Sequence, residues 1–218
     1  MSECDFCDEF SSGQQNAYAR VYGPHAATRV LVDGPFRLLP TLGQVAEGHL
    51  LIIPAKHLCS LADLADEQTQ QLERLCRQVK SVLRRAYGAC VFFEHGIRSA
   101  GSGGCGIDHA HMHAVPVTAD GVLNILTEQF NGRTIGSLGD IKRNLRHDSS
   151  YLFFEHISGQ RYVFPVENLP SQYMRKLLAD SVGKADWDWK KCGPEPELIS
   201  TLQWLPRLFS APAIANKE

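Results

Sequence analysis

Residues 109–113 read His-Ala-His-Met-His and run on into Ala114-Val115-Pro116. An alternating segment that continues into apolar residues and is closed by proline predicts a β-strand. Side chains alternate faces along a strand, so His109, His111 and His113 are expected on one face, with neighbours ~6–7 Å apart. Three adjacent buried imidazoles would each need a hydrogen-bond partner, which disfavours a purely structural core role. Two chemical roles are left: metal binding, or a nucleophile or base flanked by partners. One ion held by all three is disfavoured, because the outer pair is ~13 Å apart at Cα along a strand. Strand-based metal sites use two such histidines and a third ligand from elsewhere.

The chain has 218 residues, which is one large domain or one domain with an extension. Hydrophobic residues make up 44%, enough for a real core. A net charge of −2 with mixed signs argues against a nucleic-acid footprint, though not against a nucleotide ligand. The first ten residues carry four acids and no basic side chain, so no signal peptide is expected there. No apolar run approaches ~18 residues, so no membrane span is expected. Seven cysteines, five of them scattered singly, fit a reducing cytoplasm better than a disulfide framework.

Periodicity places the elements. Thr28–Leu39 reads as two short strands turning at Asp33-Gly34-Pro35, and His49–Ile53 as a buried strand closed by Pro54. From Asp66, apolar residues recur at three- and four-residue steps through Leu72, Cys76, Val79 and Leu83, an amphipathic helix. Asp66 is its expected N-cap and Gly88 its C′ residue. Ala89–Glu94 is the next strand, and the Gly-rich loop 101–106 leads to the histidines. From Asp120 the chain reads as a helix over Val122–Phe130, a turn-rich stretch Asn131–Asp140, and a hairpin, Tyr151–Glu155 with Arg161–Pro165, turning at Ser158-Gly159. Further helices are expected over Pro170–Val182 and Pro196–Leu205. Phe92-Phe93-Glu94-His95 recurs as Phe153-Phe154-Glu155-His156, at a spacing too short for two fused copies of one domain; it reads as coincidence between two similar strands.

The His-x-His-x-His stretch resembles the signature of the histidine-triad (HIT) family. So does the block Gly48-His49, apolar strand Leu50–Ile53, Pro54-Ala55-Lys56-His57, which is similar to the family's Gly-His, apolar strand, Pro, Lys-x-His block. Cys4-Asp5-Phe6-Cys7 is similar to the Cys-x-x-Cys start of many bacterial members. The resemblance covers roughly residues 3–118. It implies an α+β fold, a HIT-like antiparallel sheet with a long packed helix, over residues 1–118, followed by a C-terminal α/β extension over 119–218.

The resemblance also implies a chemistry. His111 would attack the α-phosphorus of a nucleotide and form a nucleotidyl-histidine; a neutral imidazole can do so without first losing a proton, splitting one hard step into two. A backbone carbonyl would hold its other nitrogen, His49 would join the network, and His113 would donate to the phosphate. Activity is expected to fall below about pH 6, or lower where neighbouring imidazoles depress the nucleophile. Independently of family, Gly103, Gly104, Cys105 and Gly106 can offer consecutive backbone N–H groups as an anion nest, and Arg98 is a candidate charge clamp. Three positions depart from the family pattern. Gly103-Gly104-Cys105-Gly106 replaces Gly-Gly-Gln-Ser, Glu94 and His95 stand at the substrate side where many members have asparagine, and the usual ribose-gripping acid falls near Thr41. The nucleobase is therefore open.

Cys4 and Cys7 have the spacing of a zinc knuckle. By resemblance, His57 and His109 complete a structural zinc site; no organic cofactor is expected. The first functional expectation is a nucleotide hydrolase or nucleotidyl transferase acting on a nucleoside polyphosphate, phosphoramidate or nucleotide sugar. The alternative is a non-catalytic nucleotide-binding or scaffold protein; Glu94 and the long C-terminal part resemble a divergent branch tied to RNA processing, but that branch loses the third histidine, present here as His113. The expected partner is a nucleotide, a homodimer is left open, and neither membrane nor nucleic acid is expected. Trp187, Trp189 and Trp204 either bury the extension or, at Trp187-Asp188-Trp189, stack a base.

Overall fold

The structure, a computed structural model, describes residues 4–11, 13–97, 106–145 and 149–210. Two short helices, α1 (Asp5–Phe10) and α2 (Ala17–Tyr22), precede strands β1 (Phe36–Pro40) and β2 (Leu50–Pro54). Then come the long helix α3 (Asp66–Tyr87), β3 (Val91–Gly96) and β4 (Met112–Val115). The remainder is α4 (Val122–Gln129), β5 (Arg133–Ile135), α5 (Asp140–Arg143), β6 (Tyr151–Glu155), β7 (Arg161–Pro165), α6 (Tyr173–Ser181) and α7 (Pro196–Ser210). All seven strands join one sheet in the order β1-β2-β4-β3-β6-β7-β5, and every neighbouring pair is antiparallel. The fold is α+β.

The pleat sorts the sheet into two faces. Leu38, Leu50, Ile52, Phe92, Met112, Ala114, Tyr151 and Phe153 point to one face, where α3 packs through Leu72, Cys76, Val79, Val82 and Leu83 and α7 through Leu205. Their alternate neighbours Leu39, Leu51 and Ile53 meet Cys4 and Phe6 of the N-terminal segment. Further along the same face, Val91, Phe93, Val115, Leu152, Phe154 and Phe164 meet α4 and α6 through Val122, Leu126, Met174 and Leu178. Each fully buried side chain of this size stabilises the fold by about 1.5–3 kcal/mol. With α1 at one end of this second face and α6 at the other, a cleft lies open over β2, β4 and β3.

The repeated Phe-Phe-Glu-His segments lie on adjacent antiparallel strands. Phe93 pairs with Phe154, Phe92 with Glu155 and Glu94 with Phe153. The likeness is thus shared environment: both strands are central and buried on both faces. Through this pairing the extension prolongs the sheet across the boundary at residue 118 rather than forming a separate layer. An ion network fastens it to α3: Arg161 reaches Glu155 (2.6 Å) and Glu73 (3.1 Å), and Lys80 also meets Glu155.

Several local expectations change. Of the two strands expected over Thr28–Leu39 only Phe36–Pro40 forms; Val32 makes a single bridge to Leu38. The triad strand begins at Met112, so His109 and His111 sit on the approach to it. Asp66 is the first residue of α3 rather than its cap: Ala65 caps it, and the Gln68 side chain accepts from the Ala65 N–H at 3.2 Å. Gly88 ends the helix in the left-handed conformation, as expected. The stretch Asn131–Asp140 holds an edge strand, β5. The helix expected from Pro170 starts at Tyr173, because Gln172 is left-handed at φ 61°. The last helix runs past Leu205 to Ser210, with Pro206 inside it.

Candidate active site and metal centre

Cys4 and Cys7 flank and enter α1, His57 follows β2, and His109 precedes β4; their ligand atoms all lie within 4.8 Å of one another. Cys4 Sγ is 3.4 Å from His109 Nδ1, and Cys7 Sγ is 3.4 Å from His57 Nδ1 and 3.6 Å from His109 Nδ1. Tetrahedral zinc, with Zn–S ≈ 2.3 Å and Zn–N ≈ 2.0–2.1 Å, sets its ligand atoms about 3.3–3.8 Å apart. The cluster therefore fits zinc. The His109 Nε2–H donates to the Pro54 carbonyl at 2.9 Å, which leaves Nδ1 deprotonated toward the cysteines, the form a metal requires. Burial pulls His109 down to about 4 and pushes the Cys4 thiol up to about 11. Metal binding must then release the Cys4 proton.

Two residues on, the His111 Nδ1–H donates to the His109 carbonyl at 2.6 Å. That fixes the tautomer and leaves the Nε2 lone pair available. Burial, opposed by that hydrogen bond and reinforced by His109, Arg175 and His95, lowers His111 to about 4. His113 follows on β4, stacked on Phe93 with ring centroids 4.1 Å apart. His49 Nε2 and His113 Nδ1 are 2.9 Å apart, and the Val45 N–H points at His49 Nδ1 at 3.4 Å. A donor at Val45 makes His49 Nδ1 the acceptor, so its Nε2–H donates to His113 Nδ1, and the proton of His113 sits on Nε2. Burial, then Arg175 and the neighbouring imidazoles, holds His49 and His113 well below the usual histidine range. The pair is a neutral relay that fixes His113 as a donor.

His111 and His113 line the cleft, whose empty volume including its open mouth is about 750 Å³. His95 and Gly106 line it too. A Cβ at Gly106 would stand 2.9 Å from the Trp189 ring, so glycine at this position lets that ring approach so closely. Arg98, Gly103, Gly104 and Cys105 lie outside the described residues. Thr41, at the position of the usual ribose-gripping acid, lines the cleft, but carboxylates reach it from α1 instead, as Asp5 and Glu9. Sequence reading missed these, and it missed Phe6, Arg29, Gln172, Tyr173 and Arg175, which complete the walls. Arg175 carried a signal: a cation between Met174 and Leu178, on the apolar face of its helix.

Glu94 is not brought to the cleft. Strand alternation sends it to the α3 face, where it accepts from Tyr151 Oη at 2.5 Å and from the Leu61 N–H at 2.8 Å. Burial raises its carboxyl from 4.5 to about 7. Its folded form therefore holds a proton that the unfolded chain loses, so its contribution is full below pH ~4.5 and is lost as pH rises through about 7. The shift is worth roughly 3 kcal/mol. Denaturation of Glu94→Gln and wild type at pH 5 and 8 should show wild type losing up to that much more on going to pH 8. Parallel losses would contradict a buried, proton-holding Glu94.

An α+β antiparallel sheet thus sets His111 and His113 at the floor of a cleft, with His109 beside them in the Cys/His cluster. Residues 27–120 match the family model described as HIT domain. It is 25% identical over 175 residues to CWF19-like protein 1 from Homo sapiens, a match covering 71% of this chain. The chain spans about 30% of the length of that relative. It is 30% identical over 71 residues to an uncharacterized HIT-like protein of Borreliella burgdorferi, covering 32% of this chain and 50% of that one. A HIT-family structure from Bacillus subtilis aligns with TM-score 0.41 and 21% identity, covering 55% of this chain and 77% of the other. Among the described residues no helix is long and apolar enough to cross a membrane.

Proposed function

We propose that this protein is a nucleotide hydrolase or nucleotidyl transferase acting at the α-phosphate of a nucleoside polyphosphate, phosphoramidate or nucleotide sugar. The observation that carries this reading is the tautomer of His111, with Nδ1–H spent on the His109 carbonyl and Nε2 left as the nucleophile. In the first step Nε2 bonds to phosphorus and the bond to the leaving group breaks. In the second, water or an acceptor hydroxyl attacks phosphorus, loses its proton to solvent, and releases the imidazole. His113, its proton fixed on Nε2 by His49, donates to a phosphoryl oxygen as charge builds up. Zinc, held by Cys4, Cys7, His57 and His109, would have no open position and would brace α1 against the sheet. The test is a screen of nucleotides against wild type and His111→Ala, read as phosphate and nucleotide release; release by wild type alone is expected, and equal release by both would refute it.

With the His111 pKa at about 4, turnover should persist from neutral pH down to about pH 5 and then decline as protonation removes the lone pair. A decline centred at the unperturbed value near ~6.5 would contradict a buried nucleophile. A non-catalytic nucleotide-binding role is the second reading. It is favoured by Glu94, which stands where many members carry asparagine yet turns its side chain to the other face.

A further inference from the structure

We propose that Arg175, contributed by the C-terminal part of the chain, is a substrate-binding residue of the triad cleft that holds a phosphoryl oxygen of the nucleotide. The proposal rests on the nucleotide reading above and deepens it. Arg175 is 3% exposed and lines the cleft together with His111 and His113. Among the described residues no carboxylate lies within ion-pair distance of it. Its guanidinium is instead gripped by neutral acceptors. Nη2 donates to the carbonyls of Leu42 (2.9 Å), Trp187 (3.0 Å) and Gly43. Nε donates to the Trp187 carbonyl (3.3 Å) and Nη1 to Thr41 Oγ1 (3.2 Å). A guanidinium has five N–H donors, two of them on Nη1, where Thr41 takes one.

The other charges lining the cleft are matched. Glu9 takes Arg29 in a two-pronged pair at 2.8 and 2.8 Å. Asp5 accepts from the Ala17 N–H at 2.8 Å and from Arg20 at 3.1 Å. Glu195 and Asp188 stabilise Arg175 only from a distance. The Glu195 carboxylate sits on the Gly43 and Gln44 N–H groups at 2.6 and 2.8 Å, and Asp188 takes Gln172 at 2.6 Å. A buried cation with only dipoles for partners is costly, and an incoming anion relieves that cost. The planar guanidinium suits a phosphoryl group, and its grip on three carbonyls fixes it before substrate arrives.

The test measures binding of AMP and GMP, and of adenosine and guanosine, to the zinc-loaded full chain by titration calorimetry. Wild type should bind the better monophosphate more tightly than its nucleoside. Arg175→Met should lose that preference, weakening monophosphate binding by about 10- to 100-fold with nucleoside affinity unchanged, the loss expected of one charge-assisted hydrogen bond. Arg175→Lys should recover part of it. Undiminished monophosphate binding in Arg175→Met overturns the role of Arg175 while leaving turnover by His111 standing. Monophosphate binding that needs Arg175 without any turnover upholds the role and removes the catalytic reading. Because Arg175 also ties together Thr41, Gly43 and Trp187, a second measurement uses wild type alone. The Arg175 side-chain nitrogen resonance should shift on titration with inorganic phosphate, and a resonance that does not move rejects the proposal even if Arg175→Met fails to fold.

Discussion

His111→Ala and His111→Asn are expected to lose turnover by roughly 10³-fold or more while melting within a few degrees of wild type. The size of the effect follows from chemistry, since without Nε2 at this position there is no atom to bond to phosphorus. The small effect on stability follows from position: His111 opens onto the cleft on one side, and its hydrogen bond runs to a carbonyl two residues away. His113→Ala should cost less, because it removes a donor and not the nucleophile. Activity assays at saturating nucleotide, with thermal melts of the same preparations, check both parts. Full activity in His111→Ala would end the covalent mechanism.

The double variant Cys4→Ala, Cys7→Ala is expected to lose its zinc, to melt well below wild type, and to lose activity as well. Losing even a quarter of the ~10–16 kcal/mol typical of structural zinc costs about 3 kcal/mol. For a chain of this size that corresponds to roughly 6–12 °C in Tm. The loss of activity has a specific carrier. Phe6 lies between the two cysteines, is 3% exposed, and sets its ring edge-on to His109 and His111, with centroids 5.8 and 5.6 Å away. Without the metal, α1 is no longer pinned, and Phe6, Asp5 and Glu9 leave the cleft wall together. Elemental analysis, melting and turnover on one preparation separate the outcomes. A variant that keeps full zinc would reject these ligands, and one that loses zinc yet keeps full turnover would reject the coupling through Phe6.

Local pattern carried much of the fold. The three- and four-residue spacing of Leu72, Cys76, Val79 and Leu83 specified α3, because one stripe of a helix faces the sheet. The hairpin over Tyr151–Pro165 was legible from its strands and from Gly159, which takes φ 88° at the turn. Spacing and resemblance together also anticipated Cys4, Cys7, His57 and His109, which the structure brings together. Long-range pairing was not legible. Nothing near Tyr151 says that β6 joins β3, since that choice depends on which edge β4 leaves open. β5 escaped because it is short, largely exposed and paired only with β7, so it has no buried face to impose an alternation. Glu94 was assigned to the substrate by motif position, but the two-residue period of β3 places it opposite Phe93 and His95, on the α3 side.

The histidine cluster was readable because one short segment carries it, whereas the cleft walls come from both ends of the chain. Asp5, Phe6 and Glu9 arrive from the first helix, and Gln172, Tyr173, Arg175 and Trp189 from the extension. Trp187 packs against the buried cluster beneath α6, and Trp189 lies on the cleft, so the two aromatics of Trp187-Asp188-Trp189 divide the packing and lining positions between them.

The most direct test of the nucleotidyl-histidine mechanism is to mix wild type with a hydrolysable nucleotide, quench under alkaline conditions that preserve a phosphoramidate, and map the modified peptide by mass spectrometry. A nucleoside monophosphate adduct on His111 is the expected result, absent from His111→Asn. Turnover by wild type with no adduct on any histidine, under conditions that preserve an authentic phosphohistidine standard, would contradict it.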